Sequence, residues 1–267
     1  MATPMVSIII PSIGVAGTVR GSERVFVVEA VRSLLGSVRT PIEIVVVAGA
    51  AMPAAVAAEL RGFGEAVRIV DYDAPFNFSA TINLGAAHSR GEQLLLLNDD
   101  VEVVSADWLE RMLDALGGAG AGERVGAVGA RLLFEDGTLQ HAGHTYRTSL
   151  DHVGFGLPGD SAGRGGLLDQ RRAVAGVTAA CLLTPARVFD EVGGFSTLFP
   201  GNYNDVDYCM KLRFAGYEVV YEPAAVLHHF ESRSRASDAP IRADEIELIQ
   251  RRWLTHLVDD PYTPAIV

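Results

Sequence analysis

Leu94-Leu95-Leu96-Leu97-Asn98-Asp99-Asp100-Val101-Glu102 is the stretch from which the rest of the chain can be read. Four consecutive leucines form a short continuous apolar run, the pattern of a strand buried on both faces. Adjacent carboxylates follow where that strand ends. In an open α/β sheet, ligands bind outside the carboxyl ends of the strands, and clustered carboxylate oxygens there suit Mg²⁺ or Mn²⁺ holding a diphosphate. The same aspartates could instead cap a helix whose pattern starts near Ser105.

Strand and helix signals alternate on both sides of this run. Val6–Ile10 is a β-branched strand, Arg24–Leu35 has helical spacing, and Glu43–Val47 is a second strand. Pro53–Leu60 reads as an Ala-rich helix opened by proline in its first turn. Val67–Val70 is a third strand, Ser79–Ser89 a helix capped by Ser79, and Gln93–Leu97 the fourth strand. A helix over Asp107–Leu116 and a strand over Val125–Val128 complete the series. This order predicts an α/β fold, with a mainly parallel sheet and helices on both faces. After Gly129 the pattern turns Gly-rich and irregular through residue 175, with His141, His144 and His152 among weak strand signals. Leu157–Gly166 reads as a mobile loop. Order returns with the apolar segment Val174–Thr184, short helices over Ala186–Val192 and Asp205–Ala215, a strand over Val219–Tyr221, and Val226–Leu227 leading into His228-His229. Ile241–Leu257 reads as an amphipathic helix.

With 267 residues, 49% apolar and 21% charged, the chain can bury a sizeable core and is not of a disordered type. A net charge of −11 speaks against nucleic acid as a partner. It also means that an anionic substrate needs a local cation, most simply a metal. No apolar run reaches the roughly 18 residues of a membrane span, and the first residues lack the basic region of a signal peptide. Two cysteines, Cys181 and Cys209, in apolar surroundings read as buried free thiols. A cytoplasmic location fits these features.

Several other constellations could carry chemistry. Val6–Ser12 is a buried strand ending in Pro-Ser, but the Gly14–Gly21 loop lacks the spacing of a phosphate loop or dinucleotide fingerprint. Asn204-Asp205-Val206-Asp207 leads into a helix, where Asp205 can face a pocket while Asp207 pairs with Lys211, or where Asn204 or Asp205 simply caps. His228-His229 after a strand offers a further metal ligand. Gly193-Gly194 is a helix-end turn, or a place where a substrate can approach the backbone.

Taken in order, these segments resemble the inverting GT-A glycosyltransferases of family 2, especially the bacterial branch that includes rhamnosyltransferases of O-antigen and cell-wall polysaccharide synthesis. The likeness runs over about residues 5–236. It is carried by Val6–Ser12, Glu43–Val47, Pro75–Val103, Asp107–Met112, Asp136–Gly143, Val177–Leu183, Glu191–Phe195, Asn204–Tyr217 and His229–Arg235. The resemblance implies one GT-A domain over 1–240, with a nucleotide-sugar half (1–130) and an elaborated acceptor half (131–240), then a C-terminal helix and tail (241–267). It places Asn98-Asp99-Asp100 on the DXD position, with Asp100 as metal ligand and Asn98 and Asp99 beside the donor. His229 falls on the metal-binding histidine, judged by its spacing to Ser232, with His228 as the fallback. Asp205 falls on the catalytic base; Pro11, Ser12 and Asn83 fall on donor positions; Gly194, Asn204 and Asp207 lie on the acceptor side.

The implied cofactor is a divalent metal, Mn²⁺ or Mg²⁺. The implied partners are a UDP- or dTDP-sugar and a glycan or lipid-linked acceptor, with a location in the cytoplasm or at the inner face of the membrane. The chain departs from the family where the second strand ends in Ala48-Gly49-Ala50 rather than in a base-reading Asp, a role that Asp71 or Asp73 could take. Rival readings are a nucleotidyltransferase on a similar fold, with Arg20 and Arg24 near phosphate, and a non-catalytic binding module. The tail helix, with Ile246, Ile249, Trp253 and Leu257 on one stripe, could dock on a membrane, on the core or on a second subunit.

Overall fold

The computed structural model describes residues 6–117, 124–146, 150–230, 242–257 and 260–262. Its strands are β1 (Val6–Ser12), β2 (Ala16–Val19), β3 (Ser22–Val25), β4 (Ile42–Gly49), β5 (Val67–Tyr72), β6 (Gln93–Leu97), β7 (Val101–Val103) and β8 (Val125–Leu133). They continue as β9 (Leu139–His141), β10 (His144–Thr145), β11 (Asp151–His152), β12 (Arg172–Ala173), β13 (Cys181–Pro185) and β14 (Glu218–His229). The helices are α1 (Phe26–Ser37), α2 (Ala54–Gly62), α3 (Phe78–Ala87), α4 (Trp108–Leu116), α5 (Ala186–Glu191), α6 (Asn204–Phe214) and α7 (Ala243–Leu257).

Among the described residues the main sheet runs β12-β14-β8-β13-β6-β1-β4-β5, with β7 paired to β14 and β9 to β8. β1 is an inner strand, parallel to β4 and β6, and β5 is parallel to β4. β13 runs antiparallel between β6 and β8. The β1 sequence explains its place. Ile8 and Ile10 join the core formed with α1, α2 and α4, while Ile9 joins the opposite core with α3, α5 and α6. Both faces are covered, so the strand is apolar throughout rather than alternating. The same holds for Leu94–Leu97, all buried.

The expected alternation of strands and helices is present, and several boundaries moved for local reasons. Arg20 and Gly21 have positive φ (50° and 78°) and close a two-residue hairpin between β2 and β3. Arg24 and Val25 therefore belong to a strand, and α1 begins at Phe26. Pro53 stands before α2 as its cap residue. Asn77, not Ser79, caps α3, accepting the Ala80 amide at 3.0 Å; Ser79 donates its hydroxyl to the Phe199 carbonyl at 2.8 Å. The two pieces expected at 219–221 and 226–229 are one strand, β14, whose register shifts between Glu222 and Val226. Pro223 lies in that shift, where a residue without an amide proton is tolerated. The Leu157–Gly166 loop has an anchor: buried Arg131 donates to the Ser161 carbonyl at 2.7 Å and to Asp169 at 2.9 Å.

α7 packs on the chain itself. Glu245, Ile249, Trp253 and Leu257 are its buried residues, so Glu245 rather than Ile246 begins the inner stripe. Ile249, Trp253 and Leu257 join Tyr146, Ala175, Phe199, Val206 and Met210 in one cluster. The Glu245 carboxylate accepts the Gly201 and Asn202 amides and the Asn202 side chain, each at 3.0 Å. Cys181 and Cys209 are buried free thiols, both pushed up by burial, Cys209 to about 12. No helix among the described residues is long and apolar enough to cross a membrane.

α3 lies close on the sheet because Gly85 lacks a side chain: a Cβ there would meet Ile9 Cγ2 at 2.3 Å and Val47 Cγ2 at 3.0 Å. Gly85→Ala should therefore destabilise the protein by about 1–3 kcal/mol through overpacking. Gly36→Ala in α1, where a Cβ meets nothing within 4 Å, should stabilise by about 0.5–1 kcal/mol. Thermal denaturation of the two variants tests the opposite signs.

Candidate functional site

β6 ends at the carboxyl edge of the sheet and delivers Asn98, Asp99 and Asp100 there. The Asn98 amide donates to the Ala180 carbonyl at 3.2 Å. Asp99 and Asp100 are buried, 5% and 3% exposed, which is costly for neighbouring carboxylates unless something compensates. For Asp99 part of the compensation is Ser12 at the end of β1, whose hydroxyl donates to Asp99 Oδ2 at 2.6 Å. Even so, burial, with repulsion from Asp100 next, raises the Asp99 carboxyl to about 7. A cation beside the pair would act in the opposite direction.

The chain supplies a partner from far along the sequence. β7 pairs antiparallel with the end of β14, setting Val101 against His229. The Phe230 amide then donates to the Asp100 carbonyl at 2.9 Å, and His229 Nε2 stands 3.2 Å from Asp100 Oδ1. His229 Nδ1 is bonded to Gln140 Oε1 at 2.7 Å. The Gln oxygen can only accept, so Nδ1 carries the ring proton and Nε2 presents a lone pair. Asn98 Nδ2 donates to that nitrogen at 3.0 Å. The Asn98 N–H occupies that lone pair, and a cation taking its place would also relieve the repulsion between Nε2 and the Asp100 oxygen. The 3.2 Å separation is close to the roughly 3 Å between neighbouring ligands of a six-coordinate ion with bonds of about 2.1 Å. Asp100 and His229 therefore fit a divalent metal, and one imidazole with one carboxylate suits Mn²⁺. His228 lies on the other face of the strand, its Nδ1 bonded to the Phe134 carbonyl at 2.9 Å and its ring stacked on Phe230. The Ser232 spacing used to choose between the two histidines lies outside the described residues; pairing with β7 is the structural reason for choosing His229.

Asp205 lies in the first turn of α6. The cap residue there is Tyr203, in the left-handed region at φ 58°, so neither Asn204 nor Asp205 caps the helix. Asp205 Oδ1 accepts the Val206 amide at 2.8 Å and Oδ2 accepts the Ala179 amide at 3.2 Å. Each oxygen keeps a further lone pair. With buried Asn204, Asp205 lines a cleft bounded by His144, Tyr146, Leu150, His152 and the 201–206 segment.

The remaining expected residues divide. Asp73 is exposed just past β5, next to the strand end where Ala48 pairs with Asp71 and Gly49 with Tyr72. Pro11 and Ser12 sit at the end of β1 beside Val47 and Ala48. Asn83 uses both ends of its amide on the Phe195 backbone, at 2.8 and 2.9 Å, and so pins the Gly193-Gly194-Phe195 turn. Gly194, at φ 57°, offers its carbonyl to Lys211. The expected Asp207–Lys211 pair is thus absent: Asp207 is fully buried and turned to α7, bonded to Trp253 Nε1 at 2.8 Å and Arg252 Nε at 3.0 Å. It holds the C-terminal helix and does not open on the cleft. Arg20 and Arg24 pair with Glu102 at 2.7 and 2.9 Å rather than standing ready for a phosphate.

Two features escaped the sequence reading. Gln140 orients His229, yet nothing in its local pattern marks it out. His141, His144 and His152, scattered in sequence, have ring centroids only 4.7–5.1 Å apart. Burial lowers the pKa of His141, and that of His144 to about 4, so both rings are neutral near pH 7.

A sequence model described as Glycosyl transferase family 2 matches residues 7–156. The chain is 37% identical over 277 residues to the protein y4gI of Sinorhizobium fredii (strain NBRC 101917 / NGR234), covering 99% of this chain and 29% of that protein. It is 36% identical over 200 residues to the O-antigen biosynthesis protein RfbC of Myxococcus xanthus, covering 73% of this chain and 15% of that one. The chain thus spans under a third of either relative. Among solved structures, it is similar to GalNAc-T7 with UDP, GalNAc and Mn²⁺ at a TM-score of 0.69 and 12% identity, over 96% of this chain and 49% of that one. It is also similar to the mannosyltransferase PcManGT from Pyrobaculum calidifontis with GDP-Man and Mn²⁺, at a TM-score of 0.60 and 16% identity, over 98% of this chain and 66% of that one. These likenesses establish the GT-A fold expected from the sequence.

Gln140→Leu keeps the bulk of the side chain and removes the acceptor that fixes the His229 tautomer. Losing such an outer partner should weaken Mn²⁺ binding by about 10–100-fold. Titration of the metal-free protein with Mn²⁺ measures this, and unchanged affinity would separate Gln140 from the site.

Proposed function

The chain belongs to glycosyl transferase family 2, and on that premise we propose that it moves a sugar from a nucleotide-diphosphate sugar to a hydroxyl of a glycan or lipid-linked acceptor, with inversion at the anomeric carbon. The observation that carries this reading is the approach of His229 Nε2 to Asp100 Oδ1, 3.2 Å apart at the carboxyl edge of the sheet. Mn²⁺ or Mg²⁺ on these two residues would neutralise charge developing on the diphosphate leaving group. The mannosyltransferase and GalNAc-T7 structures, which contain Mn²⁺ with a nucleotide or nucleotide sugar, support that assignment. Similarity to an O-antigen biosynthesis protein supports a polysaccharide as the product class.

The chain's own residues then have distinct tasks. Pro11 and Ser12 border the nucleotide at the end of β1, and Ser12 also holds Asp99. Asp73 contacts the base or ribose where Ala48-Gly49-Ala50 offer no carboxylate, a role supported by its exposure past the neighbouring strand. Asp205 takes the proton from the acceptor hydroxyl; two backbone amides fix its carboxylate while a lone pair on each oxygen remains. The hydroxyl attacks the anomeric carbon from the face opposite the nucleotide, so Asp205 and the Asp100–His229 pair serve opposite ends of one in-line displacement. Asn204 and the Gly194 turn border the acceptor side.

Calorimetric titration of UDP, dTDP and GDP, each with Mn²⁺ and with EDTA, tests the reading. Binding of one nucleotide only with the metal is expected, and no binding to any of them would overturn the donor site. Asp100→Ala should abolish the metal-dependent part of that binding. Asp205→Asn should leave nucleotide binding intact and lower transfer by about 10²–10⁴-fold; full turnover in this variant would remove Asp205 as the base.

A further inference from the structure

Three histidines converge beside the cleft without belonging to the Asp100–His229 pair. His141 ends β9, and His144 and His152 sit directly opposite each other in the β10–β11 pair. One ligand nitrogen from each ring lies within 4.8 Å of the others. His141 and His144 are buried and His152 is half-buried. His144 and His152 also line the cleft that holds Asp205.

The hydrogen bonds of His144 and His152 engage Nδ1 of each ring, so Nε2 is the nitrogen left for an ion. His152 Nδ1 is bonded to the Gln140 carbonyl at 3.2 Å, which fixes the proton on Nδ1 and leaves Nε2 a lone pair. His144 Nδ1 is bonded to the Tyr146 hydroxyl at 3.2 Å. Metal-bound histidines characteristically anchor their second nitrogen in this way. The approach depends on Gly176: a Cβ there would lie 2.3 Å from Tyr146 Oη and 3.0 Å from His144 Nδ1. His141 accepts the Thr178 amide on Nε2 at 3.3 Å, and its Nδ1 is buried without a hydrogen-bond partner. A buried polar atom left this way calls for an explanation, and its ring neighbours are two further imidazoles.

We propose that His141, His144 and His152 form a second metal site, separate from Asp100 and His229, for one divalent transition ion of the Zn²⁺ class. Three imidazoles without a carboxylate favour Zn²⁺, Co²⁺ or Ni²⁺ over Mg²⁺. A point midway between three atoms at the 4.8 Å limit lies about 2.8 Å from each. Less than about 1 Å of closure per ring reaches a Zn–N distance of about 2.0–2.1 Å. Coordination through His141 Nδ1 moves that ring's proton to Nε2 and gives up the long contact from Thr178. Gln140 links the two sites, with its side chain on His229 and its carbonyl on His152. On the glycosyl-transfer reading, the ion would lie on the acceptor side, near Asp205; ion binding itself does not depend on that reading.

The test uses the full chain, stripped with EDTA, in an Asp100→Ala/His229→Ala background that removes the first site. Titration with Zn²⁺ alone should give one bound equivalent and a rise in melting temperature, and Co²⁺ should give the visible absorption of a nitrogen-ligated complex. Adding His152→Ala or His144→Ala should weaken that equivalent at least tenfold, with circular dichroism reporting the fold. No bound equivalent in the background protein overturns the site, as does an equivalent that neither histidine substitution moves. If a histidine variant fails to fold, the Co²⁺ spectrum of the background protein decides: nitrogen ligation supports the site, and an all-oxygen spectrum overturns it. Because the readout is metal alone, a failure here is distinct from failure of nucleotide binding or sugar transfer.

Discussion

The pairing of β7 with Leu227–His229 at the end of β14 is the constraint on which the site depends. β14 first runs parallel to β8 and then shifts register between Glu222 and Val226. Beyond the shift it can pair with β7 on its other side. A bulge increases local twist and re-aims the strand, and Pro223 makes one easy to accommodate there. The consequence is chemical: Val101 opposite His229 brings an imidazole and the Asp100 carboxylate within 3.2 Å. Because side chains alternate along a strand, the same pairing turns His228 away toward Phe134 and Phe230.

A second constraint is the backbone of Thr178-Ala179-Ala180, which leads into β13. Its three residues serve three different parts of the site. The Thr178 amide donates to His141, the Ala179 amide to Asp205, and the Ala180 carbonyl accepts from Asn98. Small side chains suit a segment whose backbone must be approached from several directions. Coupling through one rigid segment means that a shift of β13 would move the carboxylate of α6 and the end of β6 together. Side chains held on strands and helix starts in this way lose little entropy when a ligand arrives.

α7 packs on the cleft segment by polar as well as apolar means. Its Glu245 satisfies the amides of Gly201 and Asn202, which directly precede the Tyr203 turn. Trp253 and Arg252 both bond Oδ1 of the buried Asp207 carboxylate, two residues after Asp205. Leaving such groups without partners would cost about 1–3 kcal/mol each, so the helix stabilises the geometry around Asp205 without touching the cleft itself. Its apolar stripe is spent on this packing.

The fold was legible in the sequence because burial on both faces leaves a local signature. Val6–Ile10, Glu43–Val47 and Gln93–Leu97 read as inner strands covered by helices on both faces, and acidic residues directly after such a strand lie at the ligand-binding edge. Where local chemistry decided a boundary, the sequence alone was less reliable: Ser79 looked like a cap, yet Asn77 held the position, and the Arg20-Gly21 hairpin took two residues from α1. Only the tertiary structure could decide which histidine meets Asp100, that Gln140 orients it, that Asp207 faces α7 rather than Lys211, and that His141, His144 and His152 share one place. Periodicity is a property of neighbours along the chain and reports burial. Ligand geometry depends on strand register, bulges and loop paths between residues far apart in sequence, and no local pattern encodes those.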